Sequence, residues 1–285
     1  MALRVAYLGP AGTFSDDALA ASAGDASIER GPQSSIFEAI EAIGNGSADR
    51  ALVPFENSIE GTVRSTLDTL AFDATEVVIL GSFDHPIHHS LIARTALELG
   101  QIEAVISHPQ ASAQCQGYLR EKLPQAEVRA ALSTADAVRQ VGESEDPWAA
   151  LGAASAAEIY GCTVVASGVE DTPDNVTRFI WIAPAGAQAT GSGEWRTTLI
   201  FSELGEDHPG ALVDALHEFS SRGVNLTRIE SRPRRTQLGR YMFFVDVAGA
   251  ETEEQVAAAI SALRESAESV RILGSYPVGG LAPLD

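Results

Sequence analysis

At 285 residues the chain has room for two domains, and a hydrophobic content of 45% is ample for packed cores. Nineteen Lys and Arg against 39 Asp and Glu give a net charge of −20 and a pI near 4.6, the wrong sign for gripping a phosphate backbone, so nucleic acid is excluded as a partner. From Trp195 on there are nine basic and 13 acidic residues, leaving ten and 26 in the first 194, so −16 of the −20 lies there. An anion bound in that part has to be held by local groups against the overall field.

The N-terminal segment Met1 to Gly9 lacks a charged region followed by a long apolar core, and no stretch reaches the ~18 apolar residues of a membrane span. A cytoplasmic protein with no membrane partner is expected. Cys115 and Cys162, 47 residues apart, fit no metal-ligand spacing and are expected to be reduced thiols.

Residues 3 to 8 read as a strand that breaks at Gly9-Pro10-Ala11-Gly12, after which Thr13, Ser15 and Asp16 open a helix. The Gly-Lys-Ser/Thr ending of a phosphate loop and the third glycine of a dinucleotide fingerprint are both missing. The free backbone N–H groups of such a helix start still suit an anion. A second helix is capped at Ser34 or Ser35 with Glu38 as box partner and stops at Gly44-Asn45-Gly46. Strand 51 to 55 leads into a polar knot, Glu56 to Thr62, placed between that strand and a helix with Val63, Leu67 and Leu70 on one face. One hydroxyl or carboxylate is enough for a cap, and the surplus of polar side chains points to a site.

Further strands are expected at 77 to 80, 87 to 93, 104 to 107, 128 to 131, 148 to 152 and 163 to 166, most of them separated by helices. Helix starts follow at Ser107-His108-Pro109-Gln110, at Ser133-Thr134 with Asp136, and at Ala153-Ala154-Ser155. The alternation predicts parallel sheets with helices on both faces and ligands at the carboxyl edge of the strands. Each helix start carries about half a positive charge, so several meeting in one cleft can hold a dianion inside an acidic protein. His85, His88 and His89 look like a metal cluster, but on a strand His88 and His89 point to opposite faces and no acid or Cys stands at ligand spacing, so no metal is expected.

Asn175-Val176-Thr177-Arg178-Phe179 puts an amide, a hydroxyl and a guanidinium just ahead of a buried strand at 179 to 183. Residues 184 to 194 are small and turn-prone, a linker. Beyond it, strand 197 to 204, a helix from His208-Pro209-Gly210 with Pro at N1 to Gly223, strands 224 to 232 and 241 to 247, helix 253 to 266 and strand 270 to 276 make a βαββαβ unit.

Six stretches taken together resemble one family: Tyr7 to Ser15, Val53 to Gly61, Ser107 to Gln110, Asn175 to Phe179, Gly210 to Val213 and Glu230 to Pro233. The chain resembles, over nearly its whole length, prephenate dehydratase with a C-terminal ACT regulatory domain. The resemblance implies an α/β, bilobed, type II periplasmic-binding-protein-like catalytic domain at 1–183, with lobe 1 at about 1–76 and 176–183 and lobe 2 at about 77–175. A linker at 184–194, an α+β ferredoxin-like (βαββαβ) ACT domain at 195–277 and a tail at 278–285 complete the expected organisation. The implied reaction converts prephenate to phenylpyruvate, water and carbon dioxide in phenylalanine biosynthesis.

Because loss of carbon dioxide with the ring hydroxyl makes the ring aromatic, no cofactor is needed; the protein has to orient the molecule and supply a donor at the leaving oxygen. Thr177, Arg178 and Phe179 carry the implied catalytic signature. Thr177 is the candidate donor or hydrogen-bond stabiliser, and Arg178 the candidate partner of a carboxylate. Thr13, Phe14, Ser15, Asn57, Ser58, Thr62, His108, Gln110 and Asn175 are candidate substrate-binding residues. Glu56, which would repel a dianion unless protonated, either joins them or orients Asn57. In the regulatory half the resemblance implies L-phenylalanine between paired ACT domains, at Gly210, Ala211, Leu212, Val213, Asn225, Leu226, Glu230, Ser231, Arg232 and Pro233. That requires a homo-oligomer, dimer or tetramer. Arogenate dehydratase remains as an alternative, as does a non-catalytic amino-acid sensor, which would need no Thr-Arg pair and would often carry a DNA-binding domain ahead of a first strand that here begins at Leu3.

Overall fold

The computed structural model describes residues 2–204 and 209–279. It divides into two compact units, Met1–Thr66 with Asp84–Phe179, and Leu67–Phe83 with Ile180–Asp285.

From the N-terminus β1 (Leu3–Leu8), α1 (Phe14–Ala23), β2 (Ile28–Gln33), α2 (Ile36–Gly44), β3 (Arg50–Asn57), β4 (Gly61–Thr62) and α3 (Arg64–Asp68) follow in order, α3 straddling the boundary between the units as the strands Val77–Pro86 and Val176–Pro184 do after it. Chain segment β5 (Val77–Pro86) leads to β6 (Ser90–Ala93), β7 (Ala104–Ser107), α4 (Pro109–Gln114), α5 (Gln116–Lys122), β8 (Glu127–Ala130), α6 (Thr134–Glu143), β9 (Trp148–Gly152), α7 (Ala154–Ile159), β10 (Thr163–Ser167) and β11 (Val176–Pro184). Two sheets result, in the orders β2-β1-β3-β11-β5, with β4 on β3, and β10-β6-β9-β7-β8. Each takes in one strand that arrives from the other lobe, β11 in the first and β6 in the second, and these crossovers define a bilobed α/β fold. The expectation of all-parallel sheets is corrected at this point, because β6 runs antiparallel to β9 and β10. The β1–β2, β1–β3, β7–β8 and β7–β9 pairs are parallel as expected.

The second sheet is buried on both faces. Leu91, Val105, Ala149 and Leu151 pack with Cys115 and Leu119 on one side, and Ile92, Ile106 and Ala150 pack with Val138, Val141 and Ala156 on the other. Alternate residues of each strand thus serve alternate helix layers.

Three segments depart from expectation. β2 was not anticipated: it holds one apolar residue and a Pro, tolerated because β2 is an edge strand bonded to β1 alone. Val77–Pro86, assigned by sequence to the second lobe, is the edge strand of the first sheet, and the passage between lobes comes at 87–89. His88 and His89 therefore lie between strands, not on one. The knot at 56–62 is a tight hairpin in which Glu56 faces Thr62 and Asn57 faces Gly61, so Glu56 and Asn57 belong to β3, and Val63 precedes α3.

The second unit contains β12 (Trp195–Ser202), α8 (Ala211–Ser220), β13 (Leu226–Pro233), β14 (Tyr241–Ala248), α9 (Glu254–Ser266) and β15 (Ser269–Pro277). Its sheet, β13-β14-β12-β15, is the ferredoxin-like order. Leu199, Phe201, Val245 and Val247 pack against Ala215 and Phe219 of α8 and Val256, Ile260 and Leu263 of α9. Pro209 does not take N1: Gly210 is the N-cap, at φ +97°, a backbone conformation suited to glycine, and α8 begins at Ala211. His208 lies outside the described residues.

Residues 67–83 are locked to this sheet. Arg232 grips Asp68 with three hydrogen bonds of 2.7 to 3.0 Å, and Arg235 adds one at 2.9 Å while its guanidinium covers the Phe72 ring at 4.3 Å. At Gly274 a Cβ would stand 2.2 Å from the Ile79 carbonyl oxygen. Gly274→Ala is therefore expected to lower stability by about 1–3 kcal/mol or more, read as a lower Tm; wild-type melting would show that β15 and β5 part without penalty there.

Candidate active site

A cavity of about 340 Å³ opens in the first unit, lined by Leu8, Gly9, Thr13, Phe14, Ser15, Ser34, Pro54, Asn57, Ile87, His89, His108, Gln110, Ala111, Gln114, Leu132, Ser133, Thr134, Asn175, Thr177 and Phe179. The size is at the low end for small-molecule sites, roughly 300–1,000 Å³. Three helices begin on its wall: α1 at its N-cap Thr13, α4 at His108 and α6 at Ser133, each cap side chain accepting a hydrogen bond from a first-turn backbone N–H. Their positive ends supply what a bound anion needs, and the lining contains no Lys, Arg, Asp or Glu.

The polar centre is built around Asn57. Its Oδ1 accepts from the N–H groups of Ile59 at 3.0 Å and Glu60 at 2.9 Å, which turns the Nδ2 group toward β11. Nδ2 donates to Asn175 Oδ1 at 2.7 Å and to Thr177 Oγ1 at 2.9 Å, with Val176 O at 3.3 Å. Asn175 Nδ2 in turn donates to Gln114 Oε1 at 3.2 Å, which also meets His89 Nε2 at 3.0 Å. Among the described residues the accepted bond from Asn57 is the only one the Thr177 side chain makes, so its own proton is free to be donated into the cavity.

Thr13, Phe14, Ser15, Asn57, His108, Gln110, Asn175, Thr177 and Phe179 are thus brought together, while Arg178, Glu56, Ser58 and Thr62 are not on the wall. Arg178 is the clearest correction. Side chains alternate along β11, so with Thr177 and Phe179 facing the cavity Arg178 faces away, where it pairs with Glu56 at 3.0 Å and Asp84 at 3.4 Å. Glu56 is correspondingly held by that guanidinium. Ser58 stitches β11 in place, donating its N–H to Val176 O at 2.9 Å and accepting from Val176 N at 3.0 Å; Thr62 pairs with Glu56 in the hairpin.

Gln114, His89, Ser34, Ser133 and Thr134 line the cavity without having been singled out as site residues. Gln114 carried a legible signal, since it stands four residues after Gln110 and shares its helical face. His89 was obscured by its placement on a strand. No His-His-His cluster forms: His88 Nδ1 meets Glu170 at 2.8 Å, His89 meets Gln114, and His85 packs edge-on to Phe179.

Burial pushes the pKa of both His89 and His85 below the ordinary 6.5 and raises the Asp17 carboxyl; Cys115 is pushed up to about 12 by burial, an inert thiol.

In the second unit a cavity of about 330 Å³ is lined by Glu203, Leu204, Gly210, Ala211, Leu212, Val213, Gly239, Tyr241 and Phe243. Of the expected effector residues only Gly210–Val213 reach it. Leu226 and Glu230–Pro233 lie on the edge strand β13, Asn225 just precedes it, and Arg232 is engaged by Asp68.

A histidine buried neutral makes the unfolded chain bind more protons between its lowered pKa and 6.5, so stability rises with pH through that window and is lost as pH falls below about 6.5. The Tm is expected to drop between pH 7.5 and 5.5, and less steeply in His89→Gln; an unchanged slope in that variant would show that His89 is not the group responsible.

Among the described residues no helix is long and apolar enough to cross a membrane. The prephenate dehydratase family matches residues 5–187 and the ACT domain family residues 198–265. A prephenate dehydratase of Mycobacterium tuberculosis is 38% identical over 288 residues, covering 98% of this chain and 88% of the relative. Among solved structures, prephenate dehydratase from Arthrobacter aurescens in complex with L-Phe superposes with a TM-score of 0.89 at 39% identity, covering 99% of this chain and 93% of that one. GqqA, described as a novel type of quorum quenching acylase, superposes with a TM-score of 0.83 at 28% identity and 98% coverage of both chains. By family, relatives and fold, the chain belongs to the prephenate dehydratases with a C-terminal ACT domain.

Proposed function

We propose that the chain is a carbon–oxygen lyase that decarboxylates and dehydrates prephenate to phenylpyruvate in the synthesis of L-phenylalanine, using residues 1–183 for catalysis and 195–277 for regulation. The observation that carries the site assignment is the Thr177 hydroxyl, held by Asn57 with its proton free toward the cavity. In the reaction the bond between the ring and its carboxylate breaks, its electron pair enters the ring, and the C–O bond at the opposite carbon breaks as the oxygen takes a proton and leaves as water. Thr177 donates a hydrogen bond to that oxygen as charge develops on it. The helix starts at Thr13, His108 and Ser133 hold the carboxylate of the side chain, and Phe14, Phe179, Ile87 and Pro54 enclose the ring.

The direction of Arg178 suits this chemistry. The departing carboxylate loses its charge on the way to carbon dioxide, so a cation on it would stabilise the ground state more than the transition state. The lining offers no carboxylate for the ammonium of arogenate, which favours the keto acid. An acylase like GqqA would need a nucleophile activated by a base, whereas the Thr177 oxygen receives a hydrogen bond from an amide, which withdraws electron density from it.

L-phenylalanine, the ligand of the Arthrobacter relative, is the proposed inhibitor, seated at Gly210–Val213. The remaining effector residues on β13 are brought to a bound ligand by pairing of two copies through that edge strand, an unpaired ladder suited to such association. The working form is then a homodimer or a larger homo-oligomer in the cytoplasm.

Thr177→Ala is expected to lower kcat by about 10²- to 10³-fold while Thr177→Ser keeps most of it, measured by phenylpyruvate formation. Wild-type activity in the Ala variant would remove Thr177 from the mechanism. Gly210→Ala, which strains a backbone at φ +97°, is expected to weaken inhibition by L-phenylalanine by roughly tenfold, the equivalent of ~1.4 kcal/mol; undiminished inhibition would place the effector elsewhere.

A further inference from the structure

Resting on the dehydratase reading, we propose that His89 is a positioning residue for the reaction: through Gln114 it steadies the far end of the amide chain that starts at Asn57 and aims the Thr177 hydroxyl. His89 is 2% exposed and yet part of the cavity wall. Its ring stands edge-on to Phe14 at 5.1 Å, and its backbone is held by an N–H on Glu170 at 2.8 Å and a carbonyl accepting from Val169 N at 3.0 Å.

The donor and acceptor roles along the chain follow from one fixed point. The N–H groups of Ile59 and Glu60 oblige Asn57 to present its oxygen to them and its NH₂ to Asn175. Asn175 must then accept through Oδ1 and donate through Nδ2, and the Gln114 atom that receives this bond must be its oxygen. That oxygen can only accept from His89 Nε2. Neutral His89 is therefore the Nε2–H tautomer, and its Nδ1 is buried with no partner among the described residues. The titratable groups near the ring are Glu170, His88 bonded to Glu170, and Glu60, which accepts from Gln114 Nε2 at 3.4 Å. Without the Nε2–H, Gln114 loses one of the two donors that hold its oxygen toward Asn175. The amide chain then turns more freely, and Thr177 aims less well.

The test compares His89→Phe, which keeps the ring and its contact with Phe14 but removes the donor, with His89→Gln, which returns an N–H near the Nε2 position. In the full-length protein His89→Phe is expected to lose about tenfold or more in kcat with KM changed less than about threefold, and His89→Gln to regain most of it. Melting curves of both variants separate these effects from simple loss of fold, and if His89→Phe does not fold, the tautomer of His89 in the wild type decides. Independently of turnover, the ¹⁵N shifts of the resting protein should report the Nε2–H tautomer at His89. A kcat within threefold of wild type in folded His89→Phe, no recovery in His89→Gln, or an Nδ1–H tautomer would overturn the proposal. Absence of prephenate turnover in the wild type would refute the dehydratase reading instead, leaving the tautomer to be judged by its spectrum.

Discussion

The site depends on how a single amide is oriented. Asn57 ends β3, and the hairpin that follows returns two backbone N–H groups to its side-chain oxygen. The hairpin closes with its own capping bonds, and the NH₂ group is left no direction except across to Asn175 and Thr177. A local turn rule, an Asx side chain bonding its own backbone two and three residues on, is thereby converted into the direction of the Thr177 hydroxyl. Three amides, Asn57, Asn175 and Gln114, share one network with a threonine and a histidine in which each donor has a defined acceptor, the condition under which buried polar groups give a unique geometry without a large penalty.

The proposed binding of a dianion by an acidic chain is consistent with charge acting locally. The net charge is −20, but the lining of the cavity has no carboxylate and has three helix starts. Partial charges fixed in peptide dipoles are held in place by the backbone and carry no flexible side chain to order. The Arg178 guanidinium is turned to the far face of β11, engaged by Glu56 and Asp84, and no Lys or Arg stands on the cavity wall.

Much of this was legible in the sequence. The caps at Thr13, Ser35, His108 and Ser133, the polar words around Asn57 and Asn175, and the βαββαβ order of the second half are local features, and local rules read them. What depended on partners was not legible. β2, with Arg30 and Pro32 in it, is a strand only because β1 offers an edge. Val77–Pro86 belongs to the first sheet through pairing far along the chain, and misplacing its end put His88 and His89 on a strand. Arg178 was assigned to the substrate because it neighbours Thr177, although a strand's period of two separates them. Gln114 shows the converse, since its spacing from Gln110 on α4 was a usable signal. In the second half Arg232 pairs with Asp68, 164 residues away, which no window along the chain could disclose.

The most direct test of the account is kcat of Asn57→Asp with prephenate. Aspartate keeps the shape and can still accept from Ile59 and Glu60, but as a carboxylate it has no N–H for Thr177 and would draw the hydroxyl proton to itself. A folded variant with KM near wild type and kcat lower by about a hundredfold or more is the predicted result. Wild-type kcat in that variant would mean that the direction of the Thr177 proton is not set by Asn57, and the account of the site would be wrong.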